Sequence, residues 1–117
     1  EPVGLAVCAD ITHPEHAQAA SDGGAALYAC SMVLSPGGYP AESALLQGYA
    51  RTHGMAVLMA NYGAPTGGYL CVGRSALWAP GGDLVVSAPG VGACLVVGRR
   101  SEGVWTGGVW PVPGLAP

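Results

Sequence analysis

The pattern of apolar and polar positions changes sharply near the start of the chain. Residues 4–8 form a short, continuously apolar run, which is typical of a buried β-strand. Residues 9–14 then supply a polar break before a helix that we expect to begin near His13 or Pro14. The pattern therefore places Cys8 at a strand-to-helix junction.

The next stretch alternates predicted helices and buried strands. Pro14, Glu15 and the Gly23-Gly24 stop favour a helix over 14–24, and the polar spacing over 41–53 favours an amphipathic helix that ends at Gly54. Residues 25–34 and 55–60 are apolar enough for buried strands, although a short helix over 25–34 fits the same run. The economical topology is a parallel β-α-β-α-β unit.

No helical pattern follows residue 61. The turn-rich segment 61–68 is followed by short apolar runs at 72–79, 83–88 and 93–98, separated by Pro-Gly signals, as in an antiparallel meander. We therefore expect an α/β fold with a mixed sheet and covering helices. Residues 99–117, with Trp105 and Trp110, are predicted to form an extended C-terminal arm after a domain of residues 1–98.

Composition narrows the range of functions. The chain has 117 residues, a formal net charge of −3, and four Arg as its only basic residues apart from His, with no Lys. Such a chain has no basic stripe for nucleic acid, and no run reaches the length of a membrane-spanning helix. The first residue is Glu1 rather than Met, and a strand follows at once, so we expect that the chain continues a longer protein.

The four cysteines are widely spaced and never form a CxxC pair. Nothing resembles a signal peptide, which favours reduced thiols and a cytoplasmic location over disulfides. Asp10, His13 and His16 suggest a metal site, but the sequence designates no further ligand, so exposed side chains of a first helical turn are the better interpretation. We expect neither a metal nor another cofactor.

Three other polar or reactive residues each have two interpretations. Cys8 is a candidate nucleophile, but taken alone it is more simply a buried packing residue. Asn61 is a candidate substrate-binding residue or a turn residue, and Asp10 a catalytic orienter or a cap. Arg74 lies inside an apolar run, so we expect a buried guanidinium paired with a carboxylate.

Several segments, taken together, resemble one enzyme family. They are GLAVCAD followed by Pro14-Glu15, GGAALY, YARTHGMAVLMAN, and GRSALWAPGGDLV, in this order over residues 4–98. The chain resembles the carbon-nitrogen hydrolase superfamily of nitrilases and aliphatic amidases, in which a strand ends on a nucleophilic cysteine within strings such as CYD or CWE. Because the order also matches, Cys8 becomes the expected nucleophile.

The resemblance implies covalent hydrolysis of a small amide, nitrile or carbamoyl compound. It further implies that a Glu base and a Lys donor come from segments before the cysteine strand, and that the backbone N–H of Ala9 stabilises the developing negative charge. The family fold is an αββα sandwich, of which residues 1–98 would form the C-terminal part. We therefore expect an open apolar sheet face, self-association of this chain and a homo-oligomeric protein. The alternative is a non-catalytic member that acts as an interaction module.

Overall fold

The first half of the chain builds three parallel strands with a helix after each of the first two. In the computed structural model, which describes residues 1–114, these elements are β1 (Val3–Val7), α1 (Pro14–Asp22), β2 (Leu27–Met32), α2 (Tyr39–His53) and β3 (Ala56–Asn61). Strand β2 pairs in parallel with both β1 and β3. The predicted β-α-β-α-β unit is confirmed.

The second half consists of short strands and turns. They are β4 (Pro65–Thr66), β5 (Tyr69–Leu70), β6 (Ala76–Trp78), β7 (Leu84–Ser87), β8 (Cys94–Ser101) and β9 (Val104–Pro111). Strand β6 joins β3 antiparallel and β7 joins β6, which gives a five-stranded mixed sheet in the order β1-β2-β3-β6-β7. The predicted mixed sheet with covering helices is confirmed.

Both helices cover the same face of this sheet. Alternate strand residues such as Tyr28, Cys30 and Val57 form a common core with Ala17 of α1 and Leu46 of α2. Gly4 lets α1 approach β1 closely, because a Cβ at this position would lie 2.8 Å from Cβ of Ala20. A methyl group there would push the helix away from the strand.

The opposite face is covered only in part. Strands β8 and β9 pair with each other as a separate hairpin, and their glycines pack on the β6–β7 end of the sheet. A side chain at Gly98 would overlap Leu77, and one at Gly107 would lie 2.6 Å from Cγ1 of Val86. At the β1 end of this face, Leu5 and Val7 remain exposed.

Three details differ from the sequence prediction. The run at 93–98 was expected to continue the meander, but β8 pairs with β9 instead of β7. The expected arm over 99–117 is therefore half of a hairpin as far as Pro111, while its residues 115–117 lie outside the described part of the chain. The expected loop over 61–68 contains β4, which forms a small hairpin with β5.

The prediction for Arg74 is wrong. Irregular backbone at Gly73 and Arg74, both with positive φ, interrupts the apolar run before β6, so Arg74 is exposed rather than buried in a strand. Its guanidinium lies 5.6 Å from the centre of the Tyr39 ring. The charge is solvated and stacked on an aromatic ring, so it needs no buried carboxylate.

Candidate active site

Cys8 follows β1 directly and has an unusual backbone conformation. Its φ angle is 48°, in the left-handed region that residues other than Gly seldom adopt. The residue opens a single 3₁₀ turn, Cys8–Thr12, and its side chain is half-buried. Such a strained backbone conformation costs on the order of 1 kcal/mol or more, and residues that adopt it cluster at functional sites. This turn is therefore a candidate catalytic site.

Local hydrogen bonds hold the turn in shape. A carboxylate oxygen of Asp10 accepts the backbone N–H of Val7 at 2.9 Å, and the Thr12 hydroxyl donates to the carbonyl oxygen of Ala9 at 2.7 Å. Asp10 is thus a turn residue, as one of its two interpretations predicted. The backbone geometry that carries Cys8 depends on this carboxylate.

The core anchors the far side of the same turn. Ile11 is fully buried, and the Tyr49 hydroxyl of α2 donates to the Ile11 carbonyl oxygen. Helix α1 begins only at Pro14, so the backbone N–H groups beside the thiol belong to the 3₁₀ turn rather than to the helix. Of these, the N–H of Ala9 follows the cysteine immediately.

A histidine and a tyrosine lie beneath Asp10. Nε2 of His16 is 3.6 Å from Oδ2 of Asp10, and Nδ1 of His16 is 2.6 Å from the Tyr28 hydroxyl. Burial raises the pKa of Tyr28, and the neighbouring Cys30, Tyr49 and Asp10 raise it further. The hydroxyl therefore keeps its proton throughout the physiological range.

The sequence did not reveal this pair of residues as a unit. His16 and Tyr28 are twelve positions apart and lie on different elements, and nothing in the two segments that hold them predicts their contact. The only available signal is that alternation in β2 turns Tyr28 toward the helices. His16, the second histidine of the suggested metal site, is engaged with Tyr28 and Asp10, while His13 lies 3.5 Å from Glu15.

Asn61 ends β3, two strands away from Cys8 along the same edge of the sheet. Val7, Ser31 and Ala60 are in register across β1, β2 and β3, so Cys8 and Asn61 both lie one residue beyond that row. At about 4.8 Å between strands, the two backbones are separated by roughly 10 Å. The topology thus brings both sequence-predicted side chains to one edge without direct contact.

The Asn61 side chain is buried and fully engaged by backbone groups. Its oxygen accepts the N–H of Leu34 at 2.7 Å, and its nitrogen donates to the carbonyl oxygen of Gly73 at 2.8 Å. A cleft of about 290 Å³ lies beside it, lined by residues that include Tyr62, Arg74 and Cys94. The amide thereby fixes the loops that shape this cleft.

The other thiols differ from Cys8 in their surroundings. Cys30 and Cys71 are buried, Cys94 is half-buried, and all four cysteines are free thiols. Burial raises the pKa of Cys30 to about 12, and the Asp10 carboxylate contributes to the rise. Cys30 is therefore neutral at physiological pH and is a poor nucleophile.

Residues 1–114 were searched for metal sites and for membrane-spanning helices. Within this range, no three His, Cys, Asp or Glu side chains come together as a metal site. No helix in the same range is long and apolar enough to cross a membrane.

Comparison with known proteins places this geometry in context. The family model for carbon-nitrogen hydrolase matches residues 2–98. No curated protein sequence gives a significant match.

A mutant of an amidase from Nesterenkonia sp. AN1 is 30% identical over 76% of the chain, with a TM-score of 0.69, and carries the acetamide moiety of fluoroacetamide on its active-site cysteine. A second structure of that amidase matches 96% of the chain at 26% identity, with a TM-score of 0.70. Saccharomyces cerevisiae Nit3 shares the fold at 22% identity over 74% of the chain, with a TM-score of 0.68.

The chain spans only about a third of the length of these proteins, from 32% of Nit3 to 39% of the amidase. Its match to the family model nevertheless extends from β1 into β8 and includes the Cys8 turn and all five strands of the mixed sheet. The chain belongs to the carbon-nitrogen hydrolase family.

Proposed function

We propose that Cys8 is the nucleophile of a hydrolase that cleaves the non-peptide C–N bond of a small amide, nitrile or carbamoyl compound. The observation that carries the proposal is the φ of 48° at Cys8, in a turn closed by Asp10 at the carboxyl end of β1. Family membership and the likeness to an amidase with an active-site cysteine support the same residue.

For an amide, the reaction would proceed in two steps. The Cys8 thiolate attacks the carbonyl carbon, a C–S bond forms, and the C–N bond breaks as the amine leaves with a proton from a general acid. Water then attacks the thioester, which releases the carboxylic acid and returns the thiol. With a nitrile, the first intermediate is a thioimidate instead.

Each step needs groups besides the thiol. The Ala9 N–H would donate one hydrogen bond to the negative oxygen that develops in the first step. The resemblance to the family implies a Glu base and a Lys donor. The chain contains no Lys, and its carboxylates do not lie in the segment that holds the Glu base in the family, so we assign both groups to segments outside these 117 residues.

We propose that Asn61 contributes to substrate binding. Because its amide binds backbone groups of Leu34 and Gly73, it would act through the position of the loops that line the neighbouring cleft. The cytoplasmic location and the homo-oligomeric state remain predictions. Four free thiols favour the first, and the exposed apolar residues of β1 favour the second.

The test compares the alkylation rates of Cys8 and Cys94. Because both side chains are half-buried, a difference between the two rates reflects the reactivity of the thiol and not only its accessibility to the reagent. The full-length protein is treated with fluoroacetamide or iodoacetamide, and each cysteine-containing peptide is followed by mass spectrometry. We expect Cys8 to react at least about tenfold faster than Cys94, since activated thiolates are selectively alkylated. Equal, slow labelling of both thiols would refute the hydrolase and favour a non-catalytic member of the fold.

A further inference from the structure

The carboxylate of Asp10 connects the Cys8 turn to a buried hydroxyl. Oδ2 of Asp10 accepts the Val7 N–H at 2.9 Å, and the same oxygen lies 3.6 Å from Nε2 of His16. The other ring nitrogen of His16 is 2.6 Å from the Tyr28 hydroxyl. One imidazole therefore bridges the group that closes the turn and a side chain in the core.

Tyr28 decides where the imidazole carries its proton. The Tyr28 side chain is fully buried and its hydroxyl lies against Nδ1 of His16, and a buried hydroxyl must donate to an acceptor. When the Tyr28 hydroxyl donates to Nδ1, the hydrogen of a neutral imidazole is on Nε2, which faces the Asp10 carboxylate. The fixed hydroxyl thus selects the tautomer that donates toward Asp10.

We propose that His16 is a positioning residue, which is held by Tyr28 and keeps the Asp10 carboxylate closed on the Val7 N–H so that Cys8 stays in its reactive conformation. This inference rests on the proposed role of Cys8. It gives a part in the reaction to residues of this chain that touch neither the substrate nor the reacting atoms.

The contact between His16 and Asp10 fixes the geometry of the turn and contributes little to the stability of the fold. The Asp10 and His16 side chains are 45% and 36% exposed, so solvent weakens their attraction and the pair adds little to stability by itself. Without His16, however, Asp10 is free to turn toward water and release the Val7 N–H. The strained φ of Cys8 then loses a constraint, and the thiol shifts from the position that the turn gives it.

Two substitutions at one position separate the two contacts of the imidazole. In His16→Gln, the side-chain nitrogen occupies the place of Nε2 and still donates toward Asp10. In His16→Asn, the side-chain oxygen occupies the place of Nδ1 and still accepts from Tyr28, but the contact with Asp10 is lost. His13→Gln is the matched control, because His13 is an exposed histidine beside the same helix and lies outside this network.

The readout is the inactivation of Cys8 by fluoroacetamide in the full-length protein, resolved into a limiting rate and a half-saturating concentration. We expect His16→Asn and Asp10→Ala to lower the limiting rate by about tenfold at an unchanged half-saturating concentration, because small displacements of a reacting group slow the chemical step. His13→Gln should stay near wild type. His16→Gln, which keeps the contact with Asp10 but loses the acceptor for Tyr28, should lie between wild type and His16→Asn, with thermal midpoints checked for every variant.

Equal rates for His16→Asn and His16→Gln would overturn the positioning role. If a His16 variant fails to fold, Tyr28→Phe replaces it, because it keeps the ring volume and removes only the hydroxyl. We expect that variant to be slowed, and an unchanged rate would likewise refute the inference. Failure of the proposed function is distinguishable, because in that case wild-type Cys8 itself reacts no faster than Cys94.

Discussion

The side-chain nitrogen of Asn61 donates a hydrogen bond of 2.8 Å to the carbonyl oxygen of Gly73, while the side-chain oxygen accepts the backbone N–H of Leu34 at 2.7 Å. One buried amide thus joins the end of β3 to the loops that follow β2 and precede β6. A buried group with satisfied donors and acceptors is costly to replace, because its backbone partners are left unpaired.

Asn61→Asp tests this role. The variant keeps the size of the side chain and an acceptor for Leu34, but it loses the donor and places a negative charge against the Gly73 carbonyl oxygen. We expect the free energy of unfolding in urea to fall by about 2–3 kcal/mol. Gln18→Glu makes the same chemical change on the surface of α1, next to Asp22, and should cost less than about 0.5 kcal/mol. An unchanged stability with a raised KM would instead identify Asn61 as a direct substrate ligand.

The buried thiol of Cys30 makes stability depend on pH in the alkaline range. Its pKa rises from the ordinary value of 9.0 to about 12 because of burial, with a contribution from Asp10. The unfolded chain therefore loses this proton first as the pH rises. The stabilisation is complete below about pH 9 and is lost progressively toward pH 12. The raised pKa values of Tyr28 and Tyr49, mainly due to burial, act in the same direction.

We expect wild-type protein to lose on the order of 2 kcal/mol more stability than Cys30→Ala between about pH 8 and about pH 10.5. Urea unfolding followed by circular dichroism at a series of pH values measures both proteins. Parallel curves would contradict the prediction, because they would mean that the Cys30 thiol titrates alike in the folded and unfolded states.

The hairpin of β8 and β9 depends on the absence of a side chain at Gly98. A methyl group there would overlap Leu77, which is buried beneath the hairpin. We expect Gly98→Ala to cost about 1–3 kcal/mol and to shift the fluorescence of Trp105 to longer wavelength as the hairpin moves away from the sheet. An unaltered spectrum and unfolding midpoint would show that the hairpin does not pack there.

Gly48 is the control for Gly98, because a side chain at this position is expected to stabilise the protein. It lies within α2, and a Cβ at this position would have no neighbouring atom within 4 Å, so Gly48→Ala meets no steric obstacle. The substitution should stabilise the protein by about 0.5–1 kcal/mol, because Ala loses less conformational entropy in a helix.

The uncovered part of the sheet should drive self-association of this chain. Leu5 is 74% exposed on the face that the helices leave bare. We expect light scattering to show mass rising with concentration, and Leu5→Lys to reduce that rise. Leu70→Lys changes a residue that is 60% exposed in the small β5 strand and should have no such effect. A monomer at all concentrations in wild type would contradict the prediction.

The local sequence pattern was sufficient to predict most of the secondary-structure elements and their order. Pro14 at the first turn of α1, Gly54 with a φ of 62° after α2, and the apolar runs of β1 to β3 made the order of the elements and the parallel unit predictable. These features act over a few residues, so the sequence specifies them directly. The match of the motifs to the family likewise needed only their order along the chain.

Contacts between distant segments required the tertiary structure. The sequence placed Cys8 after a strand, but the left-handed backbone and the stack of Asp10, His16 and Tyr28 arise only when α1 packs on β2. The apolar neighbours of Arg74 predicted a buried position, but the irregular backbone that it shares with Gly73 exposes it. The sequence alone therefore determined the elements and the family of this protein. Packing decided which side chains meet, since that depends on contacts between residues far apart in the chain.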